Sequence, residues 1–116
     1  MDADKAGQAD TVKSNNMKIR AKLTGDIAEI KLIIIHPMET GRKKDDAGAL
    51  IPAHFIQLMT ITLNDQTILE TQWGTGIAKN PYITCRVKAK LNDKVTVSWL
   101  DNLGETATQG TLVIAS

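Results

Sequence analysis

Three side chains in the 116-residue sequence are candidates for nucleophilic or metal chemistry: one cysteine, Cys85, and two histidines, His36 and His54. A single cysteine cannot form a disulfide within the chain or a multi-cysteine zinc site. A metal site built on the histidines needs three or four converging donors, and no third donor is spaced in the sequence to join them. The sequence therefore predicts structural or interface roles for both histidines, and neither a metal nor another cofactor.

Cys85 lies where apolar and polar residues alternate, on the same side of the chain as Ile83 and Val87. A thiol between two aliphatic side chains is expected to be buried, with a raised pKa and low reactivity. Arg86 points to the opposite side and cannot readily stabilise a thiolate. The residues therefore predict a structural cysteine and no catalytic residue. The alternative is a thiol-dependent sulfur transferase that uses Cys85.

The composition of the chain argues against several classes of function. There are 14 Lys and Arg against 13 Asp and Glu, so the net charge of +1 lacks the basic excess typical of nucleic-acid binders. Aromatic residues make up only 3%, which disfavours platforms for base stacking. The longest apolar run, at 32–35, is far shorter than the roughly 20 residues of a membrane-spanning helix. We expect neither a nucleic-acid partner nor a membrane partner.

Residues 1–16 contain one isolated valine among small and polar residues and no periodic apolar pattern. Such a segment cannot bury enough apolar surface to order itself, so we predict a flexible N-terminal tail. It shows neither the apolar stretch of a secretory signal nor a twin arginine. Taken alone, that indicates a cytoplasmic protein.

From residue 17 onward, apolar residues recur with a period of two, and turn residues interrupt the pattern at short intervals. The alternation predicts seven strands, at 17–23, 27–36, 53–63, 67–73, 82–88, 94–100 and 106–115. Seven short strands without a convincing helix predict an all-β fold, an immunoglobulin-like antiparallel β-sandwich that forms one domain over 17–116.

The second and third predicted strands are apolar on both sides. Ile33 and Ile35 lie opposite the core-facing residues of the second strand, and Ile56 and Leu58 lie opposite those of the third. Because the outer side of a sandwich strand should be polar, the two strands together predict an apolar outer patch that binds a partner. The alternative is that the long loop at 37–50 folds back and covers this patch.

Several short motifs occur in a fixed order along the chain. They are HPMETG at 36–41, IPAHFI at 51–56, QWG at 72–74, KNPY at 79–82, DKV at 93–95 and WLDNLG at 99–104. From residue 17 to about residue 115, the ordered set resembles SoxZ, the non-catalytic subunit of the SoxYZ carrier of bacterial thiosulfate oxidation.

The resemblance implies an immunoglobulin-like sandwich in an obligate heterodimer with SoxY. In this family, SoxY carries sulfur intermediates on a cysteine in a glycine-rich arm near its C-terminus. SoxZ supports that subunit and helps present the arm to the other Sox enzymes, which it contacts transiently. The present sequence ends without a cysteine, in agreement with the SoxZ role. The family also implies a periplasmic protein that is exported together with SoxY, against the cytoplasmic location indicated by the N-terminus alone.

Two sets of residues are candidates for contacts with SoxY. The expected interface consists of large apolar side chains: Ile33, Ile35, Met38, Phe55, Ile56, Leu58, Met59 and Trp73. The expected groove for the carrier arm consists of polar residues near the two strongest motifs: His36, Glu39, His54 and Asn80. A sandwich that associates with itself when isolated remains the third hypothesis, because a homo-oligomer contact would also cover the apolar patch.

Overall fold

The computed structural model describes residues 17–116 and shows an all-β fold. The predicted tail at 1–16 lies outside the described residues. The strands are β1 (Met17–Thr24), β2 (Ile27–Ile34), β3 (Ile56–Leu63), β4 (Gln66–Gln72), β5 (Tyr82–Lys88), β6 (Lys94–Asp101), β7 (Thr106–Leu112) and β8 (Ile114–Ala115). Within the described range, no helix is long and apolar enough to span a membrane.

The strands form two four-stranded sheets that pack face to face. One sheet has the order β5-β2-β1-β8 and the other has the order β4-β3-β6-β7. All neighbouring strands are antiparallel except β1 and β8, which are parallel. The predicted β-sandwich is therefore confirmed.

The last predicted strand is divided between the two sheets. The chain leaves β7 at Val113, whose N–H donates to the carbonyl of Asp93 while its own carbonyl accepts from the N–H of Asn92. Val113 is fully buried. These contacts with the turn before β6 carry the chain from one sheet to the other, where β8 pairs with β1.

The core follows the period-two alternation of both sheets. Along β2, for example, Ala28, Ile30, Leu32 and Ile34 are all buried, whereas the residues between them are not. Each large aliphatic side chain that leaves water in this way stabilises the fold by about 1.5–3 kcal/mol. The core therefore lies between the sheets, and the outer face of each sheet is open to solvent.

One end of the sandwich, here called the loop end, gathers the long connections. The segment between β2 and β3 meets the β6–β7 hairpin there, because Asn102 donates its N–H to the carbonyl of Phe55 and accepts the N–H of Phe55 at its side chain. The segment between β4 and β5 joins them where Ile34 donates its N–H to the carbonyl of Pro81. The predicted third strand begins three residues late, at Ile56, because its first residues bond to these connections instead of a strand.

Candidate functional site

A buried polar network lies at the loop end of the sandwich. The carboxylate of Asp101, the last residue of β6, is completely shielded from solvent. Its Oδ2 accepts hydrogen bonds from His36 Nε2 at 3.1 Å and from His54 Nε2 at 2.7 Å. His54 Nε2 also lies 3.2 Å from Glu105 Oε1. Two connections of the sandwich thus meet at one carboxylate, since His36 and His54 come from opposite ends of the β2–β3 loop and Glu105 comes from the β6–β7 hairpin.

His36 is held on every side by specific bonds. Its N–H donates to Asn80 Oδ1 at 3.1 Å, and its carbonyl accepts the N–H of Asn80 at 3.1 Å. Its ring Nδ1 accepts the N–H of Met38 at 3.1 Å. A nitrogen that accepts carries no proton, so the neutral ring must carry its proton on Nε2, where it donates to Asp101.

His54 is held through its main chain and partly faces solvent. Its N–H donates to the carbonyl of Glu39 at 3.0 Å, and its carbonyl accepts the N–H of Glu39 at 2.6 Å. The side chain of His54 is 24% exposed, whereas that of His36 is 2% exposed. The His54 ring packs edge-on against the His36 ring at 4.5 Å between centroids. His54 is therefore the member of the network that a partner could reach.

The second oxygen of Asp101 fixes the β6–β7 turn. Oδ1 accepts the N–H of Leu103 at 3.0 Å and the N–H of Glu105 at 2.9 Å. Burial raises the pKa of Asp101, but the hydrogen bonds from His36, Glu105, His54 and Leu103 outweigh it and hold the pKa below its usual range. The carboxylate is therefore ionised at neutral pH and acts as the common acceptor of the network.

Three members of this network are also the one group in the described part of the chain that offers three donors close enough for a metal ion. The ligand atoms of His36, His54 and Asp101 lie within 4.8 Å of one another. A metal would need the lone pair of His36 Nε2, which would move the ring proton to Nδ1 and oppose the N–H of Met38. The bonding around His36 therefore fits a hydrogen-bonded network better than a metal centre.

The sequence prediction that no third donor joins the histidines is wrong, because Asp101 joins them. Asp101 continues the inward side of β6 after Val95, Val97 and Trp99, all of which are buried. A carboxylate in a core position needs polar partners, and that signal was present in the sequence. Glu105 was missed for a different reason: nothing in its local pattern marks it.

All four predicted groove residues lie together at the loop end. Glu39 pairs with His54 through the main chain, and Asn80 brackets His36. Their accessibility differs, because His36 is buried, Glu39 and His54 are half-buried and Asn80 is exposed. Glu39 Oε1 is buried without a hydrogen-bond partner among the described residues. A role in binding the carrier arm stays a prediction.

The predicted apolar outer patch is wrong as a single surface. The strands β2 and β3 belong to different sheets, so their outer sides face away from each other. Ile33 lies on the outer face of one sheet, and Leu58 lies on the outer face of the other. Ile35 is exposed just past the end of β2. Phe55 and Trp73 are half-buried and pack against the core.

Three residues of the predicted interface are not at the surface at all. Met38 is 5% exposed, and Ile56 and Met59 are 0% exposed. A register shift between Ile56 and Leu58 turns both Ile56 and Met59 toward the core, which simple alternation does not allow. The N–H of Ile56 also lies 3.5 Å from the Met38 sulfur, so Met38 closes the core at the loop end.

Cys85 faces the core side of β5, beside Ile83 and Val87. Burial raises the pKa of its thiol above the ordinary value, and this lowers the fraction of reactive thiolate. We expect iodoacetamide at neutral pH to alkylate the folded protein at least about tenfold more slowly than the urea-unfolded protein. Mass spectrometry at timed intervals measures the difference. Equal rates in the two states would show an accessible, activated thiol and restore the sulfur-transferase hypothesis.

Over the described residues, the fold and the site define a two-sheet β-sandwich without helices. A buried network of histidine and aspartate side chains lies at its loop end. The family model described as "Sulphur oxidation protein SoxZ" matches residues 17–111, which is most of the chain. The chain belongs to the SoxZ family. No curated protein matches it.

Two solved structures share the fold at low sequence identity. A variant of the superoxide reductase (neelaredoxin) from Ignicoccus hospitalis is 15% identical with a TM-score of 0.60, over 94% of this chain and 89% of that chain. A variant of the superoxide reductase (neelaredoxin) from Archaeoglobus fulgidus, in the reduced form, is 15% identical with a TM-score of 0.54, over 96% of this chain and 98% of that chain. At this identity the likeness concerns the fold alone.

Proposed function

We propose that this chain is a non-catalytic subunit that binds a SoxY-type protein and helps present its cysteine-bound sulfur intermediates to the enzymes of the Sox system. The observation that supports the proposal is the SoxZ family match over residues 17–111. Membership of that family places the chain in sulfur oxidation. Two surfaces of the fold support the further proposal that it binds SoxY and helps present the carrier arm.

The surface that best fits a permanent partner is the outer face of β3, β6 and β7, here called the neutral face. The nine residues that define it stand in three cross-strand rows and carry no charge: Leu58, Leu100 and Thr106; Thr60, Ser98 and Thr108; Thr62, Thr96 and Gly110. Two charged residues border it: Lys94, whose side chain lies beside Gly110, and Glu70 of β4, which pairs with Thr60. Exposed strands usually carry charged side chains, whereas the centre of a stable interface is depleted of them. A neutral face therefore suits a partner that stays bound.

The neutral face also has the shape and the apolar anchors for docking. Leu58 and Leu100 are cross-strand neighbours, and Leu100 is 37% exposed. Together with Thr60, Ser98 and Thr106 they border a shallow depression of about 340 Å³. Leu58 is the one residue of the sequence-predicted interface that lies on this face. A stable heterodimer of standard size would bury about 1,600 Å² here in total.

The carrier arm of the partner binds at the loop end, which is separate from the neutral face. The accessible edge of His54 and the exposed Asn80 offer polar contacts there, and the half-buried Glu39 lies next to them. His36 and Asp101 support this edge from beneath without reaching the surface.

The neutral face can be tested with a lysine at its apolar anchor. We expect Leu100→Lys to weaken copurification with a co-expressed SoxY chain by at least about tenfold, because the lysine would have to be desolvated in the interface. The matched control is Leu91→Lys, which places the same substitution at a 53% exposed leucine outside the neutral face. Tagged pull-down followed by titration calorimetry measures both variants.

Each outcome of this experiment has a clear meaning. Loss of binding in Leu100→Lys alone supports the neutral face, whereas full binding in both variants contradicts it. Failure of the unaltered chain to bind SoxY contradicts the proposed function itself. A homodimer that Leu100→Lys dissolves would support the self-association hypothesis in its place.

The periplasmic location belongs to the same proposal and is supported by family membership alone. Export with SoxY as a folded pair would place both subunits in one compartment.

A further inference from the structure

The outer face of β1, β2 and β5 carries most of the positive charge of the described sheets. The three strands are in register, and their outward residues form four rows: Lys18, Ile33 and Tyr82; Arg20, Lys31 and Thr84; Lys22, Glu29 and Arg86; Thr24, Ile27 and Lys88. We call these twelve positions the basic face. It holds six cations and one carboxylate, although the whole chain has a net charge of only +1.

The charges on the basic face do not compensate one another. Glu29 accepts from Arg86 at 2.8 Å and lies 3.6 Å from the Lys31 ammonium, so one carboxylate serves two cations. Arg20 stands directly opposite Lys31 across the β1–β2 ladder, and Lys18 and Lys22 flank Arg20 on the same strand. Like charges directly opposite each other destabilise a sheet. The fold thus bears an electrostatic cost that an anionic partner would relieve.

Three of these cations border an apolar notch. Ile33 and Tyr82 are cross-strand neighbours, and Tyr82 is 59% exposed. Together with Lys18, Arg20 and Lys31 they line a shallow pocket of about 240 Å³. Ile35, one residue past the end of β2, is 44% exposed. The apolar side chains of the notch therefore lie next to the cations around it.

We infer that the basic face is a second docking surface, and that it binds a protein partner whose acidic side chains flank an aliphatic or aromatic anchor. The anchor contacts Ile33 and Tyr82, and the acidic groups pair with Arg20, Lys31 and Lys18. Because the two sheets face opposite ways, a partner on the neutral face leaves the basic face free. The inference goes beyond the proposed function and does not depend on it.

The chemistry of this face favours a protein over a nucleic acid. Polyanion sites present a stripe of cations along a backbone, often with aromatic rings for stacking. Here the cations surround an apolar notch, and aromatic residues are only 3% of the sequence. Complementary charge around an apolar anchor raises the association rate and selects the partner, which suits a brief encounter.

The test uses two variants that make the same change of charge in different places. Arg20→Glu puts a carboxylate opposite Lys31, and Arg42→Glu puts one in the exposed loop between β2 and β3. The probe is a short peptide in which glutamates alternate with leucine and tyrosine, and its control replaces every glutamate by glutamine. Chemical-shift titration of the ¹⁵N-labelled protein locates the site and gives the affinity.

We expect the acidic peptide to shift resonances of β1, β2 and β5, and the glutamine peptide to bind at least about tenfold more weakly. Arg20→Glu should weaken binding of the acidic peptide by about tenfold or more, while Arg42→Glu leaves it within about twofold. Binding should also weaken as salt shortens the screening length from about 10 Å at 0.1 M to about 3 Å at 1 M.

Stability separates a docking role from a structural one. Arg20→Glu replaces a like-charge pair by an opposite pair, so its melting temperature should equal or exceed that of the unaltered chain. If Arg20→Glu does not fold, Lys18→Glu, beside Ile33, makes the same test. Equal weakening by Arg20→Glu and Arg42→Glu, or shifts on the neutral face, would overturn the inference. Tighter binding of duplex DNA or of anionic vesicles than of the acidic peptide would assign the face to a polyanion or a lipid surface instead.

Discussion

Replacement of Asp101 by alanine should lower the free energy of unfolding by about 3–5 kcal/mol, because it removes the common acceptor of a buried network. His36 Nε2 and the N–H groups of Leu103 and Glu105 would lose their partner where water does not reach easily, and His54 would keep only Glu105. Urea titration with an unchanged m-value measures the loss. A cost this large approaches the whole stability of a small domain.

Two further variants keep this prediction testable if Asp101→Ala does not fold. In Asp101→Asn, the amide can still accept from the turn, but its NH₂ faces the Nε2–H of His36. His36 cannot change tautomer, since the N–H of Met38 occupies Nδ1, so we expect a smaller but substantial cost. Asp45→Ala is the matched control, because Asp45 Oδ1 also accepts two N–H groups, from Ala47 and Ala49, but in an exposed loop. Its expected cost is about 0.5–1.5 kcal/mol.

The acid side of the stability profile checks the same network. A folded-state pKa of Asp101 below its usual range means that the unfolded chain binds the proton more readily. The stabilisation is therefore complete above the ordinary Asp pKa of about 3.9 and is lost as the pH falls through the lower folded pKa. Asp101→Asn should flatten this part of the profile. An unchanged acid profile, or equal costs for Asp101→Ala and Asp45→Ala, would contradict the network as described.

Alternation in the sequence predicted the strands well, because the inner and outer sides of a strand are fixed by local chemistry. Cys85 faces the core side as expected, and Lys18, Arg20 and Lys22 point outward in phase with the period-two pattern of β1. Alternation does not say which sheet a strand joins. The predicted interface combined Ile33 with Leu58 because their strands are consecutive, yet the chain crosses between sheets in the loop that separates them.

The same limit explains why the candidate site was only half predicted. The motifs placed His36 and His54 near each other, but their link is Asp101, which lies 47 residues after His54. Long-range contacts of this kind follow from register, and register depends on the whole sheet. The charge of the basic face could not be predicted for a related reason. The net charge of +1 is a sum over all surfaces, and the fold separates the positive surfaces from the negative ones.

Trp99→Ala should lower the free energy of unfolding by about 3–5 kcal/mol, the usual cost of removing a large aromatic side chain from a core. Trp99 is 6% exposed and packs edge-on against the His36 ring at 5.1 Å between centroids. Trp73→Ala is the matched control, since Trp73 is only half-buried, and its cost should be clearly smaller. Urea titration measures the loss in free energy of unfolding for both variants. Equal losses would contradict the assignment of Trp99 to the core.

Trp99 and Asp101 should also depend on each other, because both hold the His36 ring. The indole packs against the His36 ring in a T-shaped arrangement, and the Asp101 carboxylate accepts the hydrogen bond from the Nε2–H of that ring. Milder changes, Trp99→Leu and Asp101→Asn, let the double variant fold. We expect the double variant to lose less stability than the two single variants together, with a coupling of about 0.5–3 kcal/mol. Strict additivity would mean that the ring is positioned by its backbone bonds alone, and that the network and the core are energetically separate.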